Sequence, residues 1–193
     1  MAYRNGTYIA FHANNTTEPT ESDIKYYNLL KAWKVREDDD FNFVNSHDKT
    51  SSVRDSSKRT TLENSLKTRL LNSKNMILII GKTTREDTDW VPFEIRYAVD
   101  ECKIPIIAAY TGFNRILHTS ELVGESYTSI DYLIPDALYT RINNGTAHVI
   151  HIPFKKEPLR DAVSRFDCNN YPIGGAWGMY TKETYRRWGI EWA

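Results

Sequence analysis

Cysteine is scarce in this chain. The two that it has, Cys102 and Cys168, lie in no metal-binding or redox motif. The sequence therefore predicts neither a disulfide framework nor a zinc site, and no metal is expected. We expect a reduced, intracellular environment, with a cytoplasmic location.

A surplus of charge is also missing, because 25 Lys and Arg residues balance 25 Asp and Glu residues. Without a positive surplus there is no overall attraction to nucleic acid or to an anionic membrane, so neither is expected as a partner. No apolar run approaches the length of a membrane span, which is about 20 residues. The first residues lack the apolar stretch of a signal peptide.

Several catalytic motifs are absent or incomplete. Gly81-Lys82-Thr83 follows an apolar strand, but Met76 stands where a phosphate-binding loop needs its first glycine. No glycine-rich dinucleotide fingerprint follows the first predicted strand, which argues against hydride transfer on a Rossmann site. Neither cysteine has a histidine near it in sequence, so a Cys–His nucleophile has no support.

Short apolar segments alternate with helical periodicity along the chain. Such alternation predicts an α/β protein with a parallel sheet. We expect a flavodoxin-like, three-layer fold, with a five-stranded parallel sheet of order 2-1-3-4-5 and helices on both faces. The predicted strands are Thr7–His12, Phe41–Asn45, Met76–Ile80, Ile104–Tyr110 and Ala147–Ile152. The predicted helices are Glu21–Val35, Thr61–Ser73, Trp90–Cys102 and Pro158–Phe166. In the third of them, we expect Val91, Ile95, Val99 and Cys102 to form the apolar stripe that faces the core.

The length of 193 residues predicts a single domain, 1–193. Its core is expected at about 7–110 and 147–166, with a less regular insertion at about 111–145. The C-terminal extension, 167–193, is rich in aromatic residues, so we expect it to be ordered and to pack on the domain. The alternative is that this extension forms a surface for a partner protein.

In the predicted strand order, a cleft opens at the carboxyl ends of the first and third strands. His12–Asn15 and Gly81–Glu94 should meet there. Asp89 is predicted to cap the helix that carries Glu94. A glutamate in a first helical turn is usually a solvated partner of the helix dipole, and that is the simplest interpretation of Glu94. Trp90 and Phe93 flank it, however, and can remove water from a functional carboxylate.

The segment around Glu94 resembles the Toll/interleukin-1 receptor (TIR) family. It is most similar to the bacterial TIR-like branch found in anti-phage defence, which includes the Thoeris system. The resemblance rests on Phe11-His12, on Phe41–Asn45, and on the run from Ser73 to Tyr110. That run has a strand, a glycine, a hydroxyl-rich loop, Trp-x-x-x-Glu-Ile and an Ile-rich strand.

The resemblance implies that NAD⁺ is a substrate and that Glu94 is the catalytic carboxylate. It also implies a cyclic ADP-ribose isomer as a second messenger for a partner effector, with no cofactor and with a homo-oligomer possible on activation. Where many relatives have an acidic residue after the first strand, this chain has Ala13-Asn14-Asn15. The expected substrate-binding residues are His12, Ala13, Asn14, Asn45, Ser46, Asp48, Thr84 and Trp90.

Two other functions stay open. One is a non-enzymatic TIR adaptor that acts by self-association. Its support is the aromatic extension and the existence of TIR domains that only act as scaffolds. The other is a flavodoxin-like receiver or nucleotide-binding module. A receiver is disfavoured, because no acidic pair follows the first strand and the third strand ends in Gly81 rather than Asp. For the loop residues, ordinary capping and turn formation is the alternative to substrate contact.

Overall fold

In the residues that the structure describes, the centre of the fold is a six-stranded parallel sheet of order β2-β1-β3-β4-β5-β6. The computed structural model describes residues 4–14, 18–35, 44–45, 59–122 and 129–190, with the backbone alone at 44–45. The order predicted for five strands is confirmed, and a short sixth strand extends the sheet beyond β5. The strands are β1 (Gly6–Ala10), β2 (Val44–Asn45), β3 (Ser73–Ile80), β4 (Ile106–Tyr110), β5 (Val149–Pro153) and β6 (Gly178–Met179).

Helices cover both faces of the sheet, as predicted. One buried cluster joins Tyr8 and Met76 to α2 and α3, and a second joins Ile9 and Ile77 to α1 and α5. The alternation of neighbouring residues between the two clusters follows from the two-residue period of a strand. The helices are α1 (Ile24–Val35), α2 (Arg59–Leu71), α3 (Trp90–Arg96), α4 (Asp136–Asn143), α5 (Lys156–Arg165) and α6 (Lys182–Arg187). Within the described ranges, none of the helices is long and apolar enough to cross a bilayer.

The boundaries of several elements differ from the predicted ones. β3 begins at Ser73, three residues before the apolar run, because Ser73 and Asn75 are buried and pair with β1. The Asn75 side chain donates hydrogen bonds to the carbonyl oxygens of Val163 and Phe166, at 3.1 and 2.7 Å. A buried amide with these partners is tolerated inside a strand, although apolar periodicity does not reveal it.

α3 ends earlier than predicted, and Tyr97–Glu101 continues it as a π-helical segment. The predicted apolar stripe of Val91, Ile95, Val99 and Cys102 is confirmed, since all four side chains are buried. π-Helical turns inside α-helices are rare and occur often at functional sites.

The segment 111–145 is more regular than expected. It contains α4, which connects β4 to β5 and packs against α3. The helix was not predicted because it is only 8 residues long and follows a series of short turns. The domain prediction itself stays a prediction.

The aromatic extension packs on the domain, as predicted. Gly178–Met179 pairs in parallel with β5, and Tyr185 on α6 is fully buried. The Tyr185 hydroxyl donates a hydrogen bond to the Ile116 carbonyl at 3.1 Å. Trp177 stacks on His151, with 5.0 Å between the ring centroids. This part of the extension therefore adds a strand beside β5 and covers the end of the sheet.

Candidate functional site

Glu94 lies on α3 and is buried between this helix and the sheet, on the face that α2 and α3 cover. The residue is only 6% exposed. Its Oε1 accepts a hydrogen bond of 2.5 Å from the hydroxyl of Tyr8, which lies in the middle of β1 and has no exposed surface. A carboxyl group this well buried is not the solvated dipole partner of the simplest interpretation.

The pKa of Glu94 is raised to about 8, mainly by burial and in addition by the negative charge of Asp87. The hydrogen bond from Tyr8 and the positive charge of Arg69 act in the opposite direction. The carboxyl group is therefore mostly protonated at neutral pH. A cationic ligand beside it would favour the ionised form, because opposite charges at short range stabilise each other.

A second buried carboxylate, Asp23, lies at the carboxyl ends of the strands. It directly precedes α1, and its Oδ2 accepts a hydrogen bond of 2.7 Å from the Thr84 hydroxyl. The Gly81 N–H in turn donates to Thr84 Oγ1 at 2.7 Å. Burial raises the pKa of Asp23, whereas the hydrogen bond from Thr84 and the charge and backbone N–H of His12 lower it. Asp23 thus joins the loops that follow β1 and β3.

The predicted meeting of the first and third strand ends is present. The His12 ring lies 2.9 Å from the Thr83 carbonyl oxygen, measured from Nδ1. Asn14 and Ser22, on the segment between β1 and α1, have left-handed backbone angles, with φ of 51° and 46°. Non-glycine residues in this conformation are uncommon and are enriched at functional sites.

Thr84 takes a different role from the expected one. Its side chain is fully buried, and its hydroxyl is bound to Asp23. In this arrangement Thr84 fixes the loop after β3, and its contact with a substrate stays a prediction.

Trp90 is partly buried at the start of α3. The Arg59 guanidinium lies over its ring, 5.1 Å from the centroid. Arg59 also forms ion pairs with Asp89, at 2.5 Å, and with Glu63, at 3.1 Å. Asp89 occupies the N-cap position of α3, as predicted, but its side chain makes no capping hydrogen bond. The Asp87 Oδ1 instead accepts hydrogen bonds from the N–H groups of Asp89 and Trp90, at 2.8 and 3.1 Å.

The other predicted binding residues are only partly described. Ala13 follows His12 at the end of β1, and it stays a prediction as a ligand contact. Asn45 ends β2, where its backbone pairs with Thr7. Ser46 and Asp48 lie outside the described residues.

A cavity of about 980 Å³ lies at the other end of the strands, where β1 and β3 begin. Arg4, Lys74 and Lys103 are among its lining residues, and Glu94 is not. No set of three or more His, Cys, Asp or Glu side chains in the described ranges is placed to hold a metal ion.

The family model for the TIR-like domain of the Thoeris protein ThsB matches residues 8–115, which is more than half of the chain. The chain belongs to this TIR-like family. Membership associates it with the Thoeris system and hence with anti-phage defence. The matched residues include positions 8–10 of β1, with Tyr8, and also Glu94.

Two residues of this TIR-like site were not found by sequence reasoning. Asp23 was read as part of the first helix, although Ser22-Asp23 before an apolar periodic segment is a recognisable helix start. Tyr8 was read only as a core residue of an apolar strand. No local pattern marks it, because its partner is 86 residues away in sequence.

Proposed function

We propose that this TIR-like protein cleaves NAD⁺ between nicotinamide and ribose, with Glu94 as the catalytic carboxylate. The observation that carries the proposal is the burial of Glu94 in Trp-x-x-x-Glu within the matched family region. A buried carboxyl group with a raised pKa is a common arrangement at a catalytic site. The positive charge of the nicotinamide ring would favour ionisation of Glu94 when the substrate binds.

The proposed chemistry needs little from the protein besides this carboxylate. Nicotinamide in NAD⁺ is already a cationic leaving group, so its departure as a neutral molecule requires no strong general acid. The bond breaks towards an oxocarbenium-like state, as in glycoside cleavage. The ionised Glu94 would stabilise the positive charge that develops on the ribose.

Glu94 is almost inaccessible in the structure, so the proposal includes an opening of the cleft around it when the enzyme becomes active. In that open form, exclusion of water by Trp90 and the loop after β3 would favour cyclisation over hydrolysis. The product would be a cyclic ADP-ribose isomer that acts as a second messenger for a partner effector of the Thoeris system. Activation by assembly into a homo-oligomer fits the same proposal.

The test is nicotinamide release from NAD⁺ by the purified protein. The wild type should release nicotinamide, and Glu94→Gln should reduce the rate by about 100-fold or more, since it removes the charge that stabilises the transition state. Glu183→Gln is a matched control, because Glu183 is exposed on α6, away from the candidate site, and it should keep the wild-type rate. Equal, non-zero rates for the wild type and Glu94→Gln would overturn the assignment of Glu94.

The alternative of a non-enzymatic adaptor loses part of its sequence support. Tyr180 and Tyr185 of the aromatic extension are buried on the domain. These side chains are therefore not available as a surface for self-association.

A further inference from the structure

Glu94 has one close polar contact in the described part of the chain, and it comes from β1. The Tyr8 hydroxyl is the donor, at 2.5 Å from Oε1. In the same described ranges Oε2 accepts no hydrogen bond, so it is the oxygen left for a ligand. We propose that Tyr8 is the positioning residue of Glu94. It fixes Oε1 so that Oε2 is directed to the substrate, and it tunes the proton affinity of the carboxyl group.

The direction of the hydrogen bond follows from the surroundings of Tyr8. Burial raises the pKa of Tyr8 well above 10, and the charge of Glu94 and the bond to it raise this pKa further, whereas Arg69 lowers it. The phenol therefore keeps its proton over the whole working pH range. It can donate to an ionised carboxylate, which has no proton of its own to give.

The rigidity of β1 makes this contact suitable for positioning. Tyr8 pairs with Met76 of β3 in the interior of the sheet, and its ring belongs to the core cluster with Leu66 and Leu70 of α2. A donor held by strand pairing and core packing cannot follow Glu94 if α3 moves. The contact therefore defines one position of the catalytic side chain relative to the sheet.

The charged and titratable groups that face Glu94 come from three elements. They are Tyr8 on β1, Arg69 on α2 and Asp87 in the loop before α3. Loss of the Tyr8 hydroxyl removes a donor that favours the ionised carboxylate, while Arg69 and Asp87 stay in place. Tyr8→Phe should therefore raise the pKa of Glu94.

The experiment is an NMR titration of protein labelled with ¹³C at the glutamate carboxyl carbons, with Glu94 assigned by its absence from Glu94→Gln. In the wild type the Glu94 signal should titrate at about pH 8. Tyr8→Phe should move this midpoint upwards by about one pH unit, which is the usual effect of one hydrogen bond to a charged group. Tyr110→Phe is the matched control, because it removes a buried hydroxyl that binds His151 and should leave the midpoint unchanged.

An identical midpoint in the wild type and Tyr8→Phe, or a wild-type midpoint near that of an exposed glutamate, would overturn the proposal. If Tyr8→Phe does not fold, replacement of tyrosine by 3-fluorotyrosine retains the ring. Its more acidic hydroxyl is a stronger donor and should lower the midpoint, and an unchanged midpoint would contradict the proposal.

The catalytic part of the inference rests on the proposed NAD⁺ cleavage. There, Tyr8→Phe should lower kcat and move the pH dependence of kcat upwards, with KM unchanged. A pH dependence of kcat that does not move would contradict the positioning role. If no variant and no wild type releases nicotinamide, the proposed function fails, while the titration still decides whether Tyr8 positions Glu94.

Discussion

Arg141 on α4 and Asp100 in the π-helical segment form a two-point ion pair, although 41 residues separate them. Arg141 Nε lies 2.9 Å from Asp100 Oδ1, and a terminal guanidinium nitrogen contacts Oδ2. The guanidinium also donates to the Ala137 carbonyl at 2.9 Å. The pair fastens α4 to the helix that carries Glu94, and the Arg141 side chain is only 14% exposed.

Replacing Arg141 should weaken this attachment. We expect Arg141→Met to lower the free energy of unfolding by about 1–2 kcal/mol, measured by urea denaturation, because a bidentate pair with a largely buried guanidinium and a helix contact are lost. Arg165→Met is the control. Its ion pair with Asp161 is 2.8 Å long, but Arg165 is 55% exposed, so the loss should stay below about 0.5 kcal/mol. Equal losses for the two variants would contradict the attachment.

Gly81 should tolerate no side chain in the presence of Asp23. A Cβ atom at Gly81 would collide with the Asp23 carboxylate, whose position is fixed by Thr84. Gly81→Ala should therefore lower the free energy of unfolding by about 1–3 kcal/mol, as overpacking does in other cores. In an Asp23→Ala background the same change should cost much less, and a strictly additive double-mutant cycle would show that the collision is not the cause.

Stability should depend on pH through His151. Its Nε2 donates to the Ala176 carbonyl at 3.0 Å, and its Nδ1 accepts from the Tyr110 hydroxyl at 2.8 Å. Burial lowers the pKa of His151 from 6.5 to about 4. The unfolded chain therefore binds the proton first. The contribution of neutral His151 is complete above pH 6.5 and is lost as the pH falls towards 4.

The free energy of unfolding should increase as the pH rises through this window. His151 contributes a slope of at most about 1.4 kcal/mol per pH unit. His151→Gln should flatten the urea-derived stability curve in this window relative to the wild type. His148→Gln is the control, because the partly exposed His148 ring only stacks on Tyr171. A slope that His151→Gln leaves unchanged would rule out this cause.

The aromatic extension should contribute to stability more than to binding. Tyr185 is fully buried, contacts Ile116 through its hydroxyl and packs edge-to-face on Trp188, with 5.8 Å between centroids. Tyr185→Ala should lower the thermal midpoint strongly, since loss of a buried aromatic side chain costs about 3–5 kcal/mol. Tyr132→Ala, at a residue that is 62% exposed, should change it little. A similar small effect at Tyr185 would contradict the packing role.

The sequence was most informative where one local period dominates. The apolar run at Met76–Ile80 and the stripe through Val91 and Ile95 predicted a buried strand and a helix core, and both were confirmed. The sheet order followed from the alternation of such segments. Local patterns were less informative where two carboxylates precede the same helix. Asp89 stands at the N-cap of α3, but its side chain pairs with the distant Arg59, and Asp87 accepts the hydrogen bond from the first helical N–H.

The interior of the candidate site was less predictable, because its contacts join residues far apart in the chain. Asp23 and Thr84 are 61 residues apart, and Tyr8 and Glu94 are 86 apart. No spacing rule connects such pairs, so the sequence indicated Glu94 through its motif but not the buried donor that holds it.

The proposed role of Glu94 is to make this TIR-like protein an NAD⁺-cleaving enzyme. The most direct test is mass spectrometry of nucleotides from phage-infected cells that express the wild type or Glu94→Gln at equal levels, which supplies any activating signal. We expect free nicotinamide and a product with the mass of cyclic ADP-ribose from the wild type, and neither above background from Glu94→Gln. The same yield of both compounds from the two proteins, or no such compounds from the wild type, would contradict the claim.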